Sequence, residues 1–395
     1  MKTTKLVSCA VVCAAYTLAI VCANAQPLAP LKQLGKALFF DTNLSTPPGQ
    51  ACAACHAPET GFTGPNPAIN AHGSVYQGAV RNRFGNRKPP AAAYAGESPV
   101  LFYDEDEEVW VGGMFWDGRA TGLILGDPLA EQAMGPFLNP LEQDNPGAKQ
   151  VCLKVAKSDY AALFRQVWGP ASLDPVKDVA GTYERIARSI AAYERSAEVN
   201  PFTSKYDYWL DGQATLTPLE DQGRMLFEGK AGCAACHISE PGPGGEPPLF
   251  TDFTYDNLGV PPNPENPFYH ISDEWNPEGM NFVDYGLGGF LKGAGFSEEV
   301  YLPEMGKQKV PTLRNVDKRP YPGFVKAYGH NGYFKSLEAI THFYNTRDVE
   351  LWPAPEVPET VNHDELGNLG LTAEEEAAVV AFMKTLTDGY VPPAP

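Results

Sequence analysis

The chain has 395 residues, and its 48 acidic side chains outnumber the 30 basic ones to give a formal net charge of −18. That balance excludes the clustered Lys and Arg with which nucleic-acid-binding proteins track phosphates. Past the first 25 residues no apolar run approaches the ~18 residues that a membrane span needs, and the length suits two domains that each enclose a core.

Residues 1–25 read as a secretory signal peptide: Lys2 and Lys5, an apolar run from Leu6 to Val21, and Ala23-Asn24-Ala25 before Gln26. A lipoprotein processed at Cys22 is the alternative, and the large Ile20 and Val21 before that cysteine argue against it. Loss of Lys2 and Lys5 with the signal takes the net charge from −18 to −20. Removing Cys9, Cys13 and Cys22 leaves five cysteines, of which Cys152 has no assigned partner and reads as a buried, inert thiol.

Next comes a short apolar helix, Leu34-Gly35-Lys36-Ala37-Leu38-Phe39-Phe40, and then Cys52-Ala53-Ala54-Cys55-His56. A C-x-x-C-H run reads as covalent c-type haem attachment, with the thiols taking the vinyl groups and the histidine taking the iron. A redox C-x-x-C or half of a zinc site is the alternative, but neither explains a histidine fixed after the second cysteine. The pattern recurs. Gln222-Gly223-Arg224-Met225-Leu226-Phe227, opened by a Thr217-Pro218-Leu219-Glu220 capping box, leads into Cys233-Ala234-Ala235-Cys236-His237. Between the two repeats, Val179, Tyr183, Ile186, Ile190 and Tyr193 form one helical stripe that reads as core.

A boundary is expected near residues 200–212, giving domains at 26–205 and 206–395. From Pro241 to Pro303 the chain is rich in Pro, Gly and aromatics and reads as irregular chain wrapped over a porphyrin. A last helix starts at Thr372 and runs to about Leu386. The expected class is therefore mainly α: two cytochrome c-like domains, each with one covalently bound c-type haem, plus long irregular loops.

With both haem motifs and the segments Phe115-Trp116-Asp117-Gly118-Arg119, Glu131-Gln132-Ala133-Met134-Gly135-Pro136 and Val310-Pro311-Thr312-Leu313-Arg314-Asn315, the sequence resembles the bacterial dihaem cytochrome c peroxidase and MauG family over nearly its whole mature length. The resemblance implies a periplasmic oxidoreductase with two haem c groups and a calcium ion between the domains. Its partners are hydrogen peroxide and a redox protein: a small cytochrome, a cupredoxin or a protein substrate. The N-terminal haem, on Cys52, Cys55 and His56, is the one that meets peroxide. Glu142, ten residues past Gln132, matches the family's distal acid/base, with Gln132 as its orienting partner; a solvated loop carboxylate is the alternative reading of Glu142.

Trp116 matches the tryptophan between the haems, or else is a buried structural residue. Asn86 and the carbonyls of Lys318 and Pro320 match the calcium ligands, with Lys318 standing where the family has Thr. Two positions separate the branches of the family. His72, sixteen residues after His56, matches the peroxidases' displaceable second iron ligand, or is a surface-loop histidine in Asn70-Ala71-His72-Gly73. At the second haem, on Cys233, Cys236 and His237, the axial position fourteen residues past His330 is Tyr344, as in MauG-like proteins, where peroxidases have Met. A core tyrosine is the alternative. A phenolate stabilises oxidised iron, whereas a thioether raises the potential. A further alternative for the whole chain is a non-catalytic electron-transfer cytochrome, which Glu142 and Gln132 argue against because a carrier needs no proton-moving group beside an iron.

Overall fold

The computed structural model describes residues 28–393, so the signal peptide read over residues 1–25 lies outside the described residues. Helices dominate. The strands among the described residues form two small antiparallel ladders, Phe102–Asp104 with Val109–Val111 and Tyr255–Asp256 with Gln308–Lys309. No described helix is long and apolar enough to cross a membrane.

The repeat seen in the sequence is a repeat of packing. In the first half the leader helix Pro30–Phe40 lies against Val179–Glu194, and in the second half Pro218–Glu228 lies against Ala373–Lys384. Both crossings are made at a glycine. A Cβ on Gly35 would stand 1.8 Å from the Ser189 carbonyl oxygen, and one on Gly223 would stand 1.8 Å from that of Ala378. One turn later Phe39 meets Tyr193 and Phe227 meets Phe382, with ring centroids 5.4 and 5.1 Å apart. Each helix pair seeds its own cluster of buried residues, the first around Leu34, Leu38, Phe39 and Ile186, the second around Phe227, Phe250, Phe343 and Phe382.

Local signals fix the helix ends. Thr217 and Thr372 both form complete capping boxes, with Glu220 and Glu375, as the sequence indicates. The two clusters meet at Ser204: Phe202 packs on the first and Tyr206 belongs to the second, while Ser204 caps the helix Lys205–Leu210.

The segment read as irregular needs correction. Residues 241–303 hold 3-10 turns at Pro267–His270 and Gly279–Asn281 and then a regular helix, Gly286–Gly293. Four glycines in Gly-Leu-Gly-Gly-Phe-Leu-Lys-Gly give that stretch little helix propensity. Packing overrides propensity here, because Leu287 and Leu291 are fully buried and Gly288 touches the backbone at Met305. The aromatics before it do gather, with Phe268 and Phe282 edge-on at 4.8 Å.

Candidate functional site

Each Cys-Ala-Ala of the two motifs is one turn of 3-10 helix, Cys52–Ala54 and Cys233–Ala235, and the following histidine N–H donates back to the first cysteine's carbonyl at 3.0 and 2.9 Å. The imidazoles are oriented alike. His56 Nδ1 donates to the Phe62 carbonyl at 3.1 Å and His237 Nδ1 to the Phe250 carbonyl at 2.9 Å. A carbonyl accepts only, so the proton is on Nδ1 and Nε2 keeps its lone pair for a metal. Burial holds both imidazoles below their usual pKa, in the neutral form that can ligate. Phe62 and Phe250 both adopt left-handed backbone, φ +58° and +54°, a strained conformation for a bulky residue.

Cys233, Cys236 and His237 border a large cavity whose far lining includes Tyr344, Trp116 and His330. Tyr344 sits on the helix Leu337–Thr346, which Ser336 caps through the Ala339 N–H at 3.0 Å. Burial raises the pKa of its phenol, so only a bound cation would draw the proton off. His342, two residues earlier, is turned away and bonds Glu376 at 3.0 Å and Glu350 at 3.3 Å.

Trp116 lies in the seam between the halves. Its Nε1–H donates to the Lys88 carbonyl at 2.9 Å, its own carbonyl accepts from Lys309 N–H at 2.8 Å, and its ring meets that of His330 edge-on at 6.4 Å. Beneath it Arg87 is clamped between Asp117 and a bidentate Asp284, with every contact at 2.6 Å. Lys88 and Lys309 line the same cavity, and burial lowers them to about 8 and about 7.

At the first motif, Glu142 follows the helix Pro128–Leu138, whose Asp127 caps it and whose Pro136 lies inside its last turn. The carboxyl is largely enclosed, and burial raises its pKa against the opposing pull of Arg119. The residue is half-buried, and its charge helps raise the pKa of both Cys52 and Cys55. Gln132 is half-buried on the same helix. Glu194, at the end of the helix packed on the first leader, also acts on Cys52 and is 4 % exposed with no partner for Oε2.

His72 is exposed and pairs with Glu265 at 2.9 Å, both side chains being more than half open to solvent. At the three calcium candidates, the Asn86 backbone carbonyl accepts from Asn266 Nδ2 at 2.8 Å, the Lys318 carbonyl accepts from Lys326 Nζ at 3.2 Å, and Pro320 is exposed. Cys152 is fully buried and free, as the sequence suggests.

Comparison with known proteins places this arrangement. The family model described as di-haem cytochrome c peroxidase matches residues 30–215. The methylamine utilization protein MauG of Paracoccus denitrificans is 34% identical over 372 residues, which cover 91% of this chain and 88% of that protein. The chain belongs to the di-haem cytochrome c peroxidase family. The cytochrome c551 peroxidase of Nitrosomonas europaea is 28% identical, covering 95% of this chain and 88% of that one. The crystal structure of the diheme peroxidase BthA from Burkholderia thailandensis superposes with a TM-score of 0.74 at 30% identity, covering 92% and 87% of the two chains. This is an oxidoreductase of the di-haem peroxidase type, acting with peroxide and a redox partner protein.

A di-haem peroxidase needs two porphyrin sites, and the buried polar atoms fit them. Arg314 and Gln308 border the cavity beside Cys233, Cys236 and His237, and Arg314 Nη2 and both amide atoms of Gln308 have no protein partner, while Gln50 Oε1, beside Cys55, is likewise unpaired. Buried donors and acceptors seldom stay unsatisfied, and haem carboxylates would take the donors. Arg314 stood in a motif already singled out in the sequence; Gln308, Lys88, Lys309 and Glu194 carry no local signal.

Glu194 makes a testable case. Burial, partly opposed by Arg195, raises its pKa to about 8. The folded value lies above the ordinary carboxyl value, so the stabilisation is complete below about pH 4.5 and is lost as pH rises toward 8. Glu194→Gln is expected to flatten that loss, which is on the order of a few kcal/mol. Denaturant midpoints of both proteins measured from pH 5 to 8.5 check it; parallel curves would count against the buried acid.

Proposed function

We propose that the protein is an exported, periplasmic, MauG-like di-haem oxidoreductase, which takes oxidising equivalents from hydrogen peroxide at the haem on Cys52, Cys55 and His56 and spends them on a Trp or Tyr side chain of a partner protein. The observation that carries the choice of branch is Tyr344, a half-buried tyrosine lining the cavity that Cys233, Cys236 and His237 border. When bound, the haems supply peroxide O–O cleavage and storage of the two equivalents it yields.

The chain's own residues do the rest. Glu142 moves a proton from the inner to the outer peroxide oxygen, a task for which a raised carboxyl pKa is suited. Gln132 orients the leaving water. Trp116, hydrogen-bonded at both its indole N–H and its backbone carbonyl, gives electrons a rigid aromatic stepping stone between the two sites. The balance is one peroxide plus two protons and two electrons to two waters, with the electrons drawn from the partner's side chain.

The peroxidase reading, with electrons from a small cytochrome or cupredoxin, depends on His72 closing the oxidised first iron. Exposure and the pairing with Glu265 weigh against that role. The test is His72→Ala. It is expected to leave the electron paramagnetic resonance spectrum of the oxidised protein and its rate with peroxide within about twofold of wild type, since exposed pairs of this kind are worth ~1 kcal/mol or less. A low-spin first haem turning high-spin in the variant would restore the peroxidase reading.

A further inference from the structure

Trp116 stands at one point of a closed circuit of contacts that crosses the seam between the halves twice. Its indole N–H donates to the Lys88 carbonyl at 2.9 Å, and the Lys88 N–H donates in turn to the His330 carbonyl at 2.8 Å. His330 Nε2 lies 3.4 Å from Glu356 Oε2, and Glu356 Oε1 accepts from the Asp284 N–H at 2.9 Å. The Asp284 carboxylate takes Arg87 Nε and Nη2, and Arg87 Nη1 reaches Asp117, the residue after Trp116, each at 2.6 Å. Arg87, Lys88, Trp116 and Asp117 come from the first half of the chain, and Asp284, His330 and Glu356 from the second.

Glu356 is the member of this circuit that no sequence motif marks. It lies in irregular chain between Trp352 and Val361, yet its place is fixed: its N–H donates to the Val260 carbonyl at 3.2 Å, and the Val357 carbonyl accepts from Asn257 Nδ2 at 2.8 Å. Its side chain is 7 % exposed, as is that of His330. One carboxylate thus holds both groups that reach Trp116 from the second half. One oxygen faces the His330 imidazole, whose ring is edge-on to the indole at 6.4 Å, and the other ties down Asp284, which carries the Arg87 clamp.

We propose that Glu356 is a positioning residue for Trp116: by locking His330 and Asp284 together it keeps the indole in one orientation between the two haem sites, and so sets how fast they exchange an electron. The proposal rests on the stepping-stone role given to Trp116 above. In that role one electron passes from the second haem through Trp116 to the first, which leaves each haem with one of the two equivalents taken from peroxide. A functional group keeps a productive geometry to about 0.5 Å only when its supports are themselves locked by packing and hydrogen bonds. Lys88, the acceptor for the indole N–H, hangs on the His330 carbonyl, and Asp117 hangs on Arg87, so both supports of Trp116 lead back to Glu356.

The test mixes the purified di-haem protein with hydrogen peroxide, without a partner, and follows the two haems separately by stopped-flow absorbance. In the wild type the second haem is expected to change together with the first. Glu356→Asp keeps the charge but is one methylene too short to hold both groups. Its second haem should respond more slowly by on the order of tenfold, inside the ~10²-fold that a 1 Å misplacement can cost, while its first haem reacts at the wild-type rate. Glu356→Gln keeps the reach and drops the charge: its amide oxygen still accepts from Asp284 and its N–H faces the imidazole, so it should restore the wild-type response. The resting electron paramagnetic resonance spectrum should be the same in all three proteins, and the thermal midpoint of the Asp variant should fall by roughly 2–4 °C. A lowered midpoint with an unaltered second-haem response would make Glu356 merely structural, and a slow Gln variant beside a fast Asp variant would make charge the cause; either overturns the proposal. Should the Asp variant not fold with both haems, Glu356→Ala is read in the same way. A wild-type second haem that ignores peroxide would overturn the role of Trp116 and this proposal with it, whereas an unaltered response in the variants overturns the role of Glu356 alone.

Discussion

Glu142→Gln is expected to slow the reaction with hydrogen peroxide by ~10²–10⁴-fold, the range for removing a positioned general acid/base. The haem absorption and the thermal midpoint should stay close to wild type, because the amide keeps the shape of the carboxyl and carries no charge to desolvate. The two effects separate cleanly. A merely structural Glu142 would show the reverse, an unchanged rate with altered stability.

The pH dependence follows from the same enclosure. Burial is the first cause of the raised pKa, and Arg119 limits it. The proton must leave peroxide for an ionised carboxylate, so the wild-type rate should fall as pH drops through that raised value, and the Gln variant should lose the acid limb. Stopped-flow absorbance of the oxidised protein mixed with peroxide, taken across the acid range, measures both. A Gln variant that reacts at the wild-type rate and keeps the acid limb would remove Glu142 from the chemistry.

What was legible in the sequence was whatever depends on neighbours in the chain. The attachment motifs, the Thr217 and Thr372 caps and the two leader helices each carry their signal within a few residues, and each has the local geometry that signal predicts. Leu337, Ile340 and Tyr344 are spaced to share one helical face, which leaves His342 on another, where it bonds two glutamates. Contacts made across the fold left no such mark. Gly286–Gly293 is helical because Leu287 and Leu291 find a core, and nothing in eight residues with four glycines announces that. Lys326 reads as an ordinary surface lysine until three carbonyls from two distant segments close around it.

Tyr344→Met is the substitution expected to change what the enzyme does with its oxidising equivalents. A phenolate stabilises oxidised iron and a thioether stabilises reduced iron, so the potential of the second haem should rise by a few tenths of a volt, part of the ~0.8 V that axial ligands span. Partner oxidation should fall by at least about tenfold, a barrier higher by ~1.4 kcal/mol or more, because without the phenolate the second haem would stabilise its oxidised state less and hold fewer of the oxidising equivalents, while reduction of the second haem by a small cytochrome becomes easier. The Tyr344 phenol has a raised pKa and gains nothing by ionising unless a cation faces it, so the protein's thermal midpoint should move far less than its potential. Potentiometric titration and electron paramagnetic resonance of the oxidised protein are the measurements. His342→Ala is the control: its imidazole faces Glu376 and Glu350, and the haem signals should ignore its loss. If Tyr344→Met leaves potential and spectrum unaltered while His342→Ala shifts them, the ligand is the histidine and the MauG-like reading fails with it.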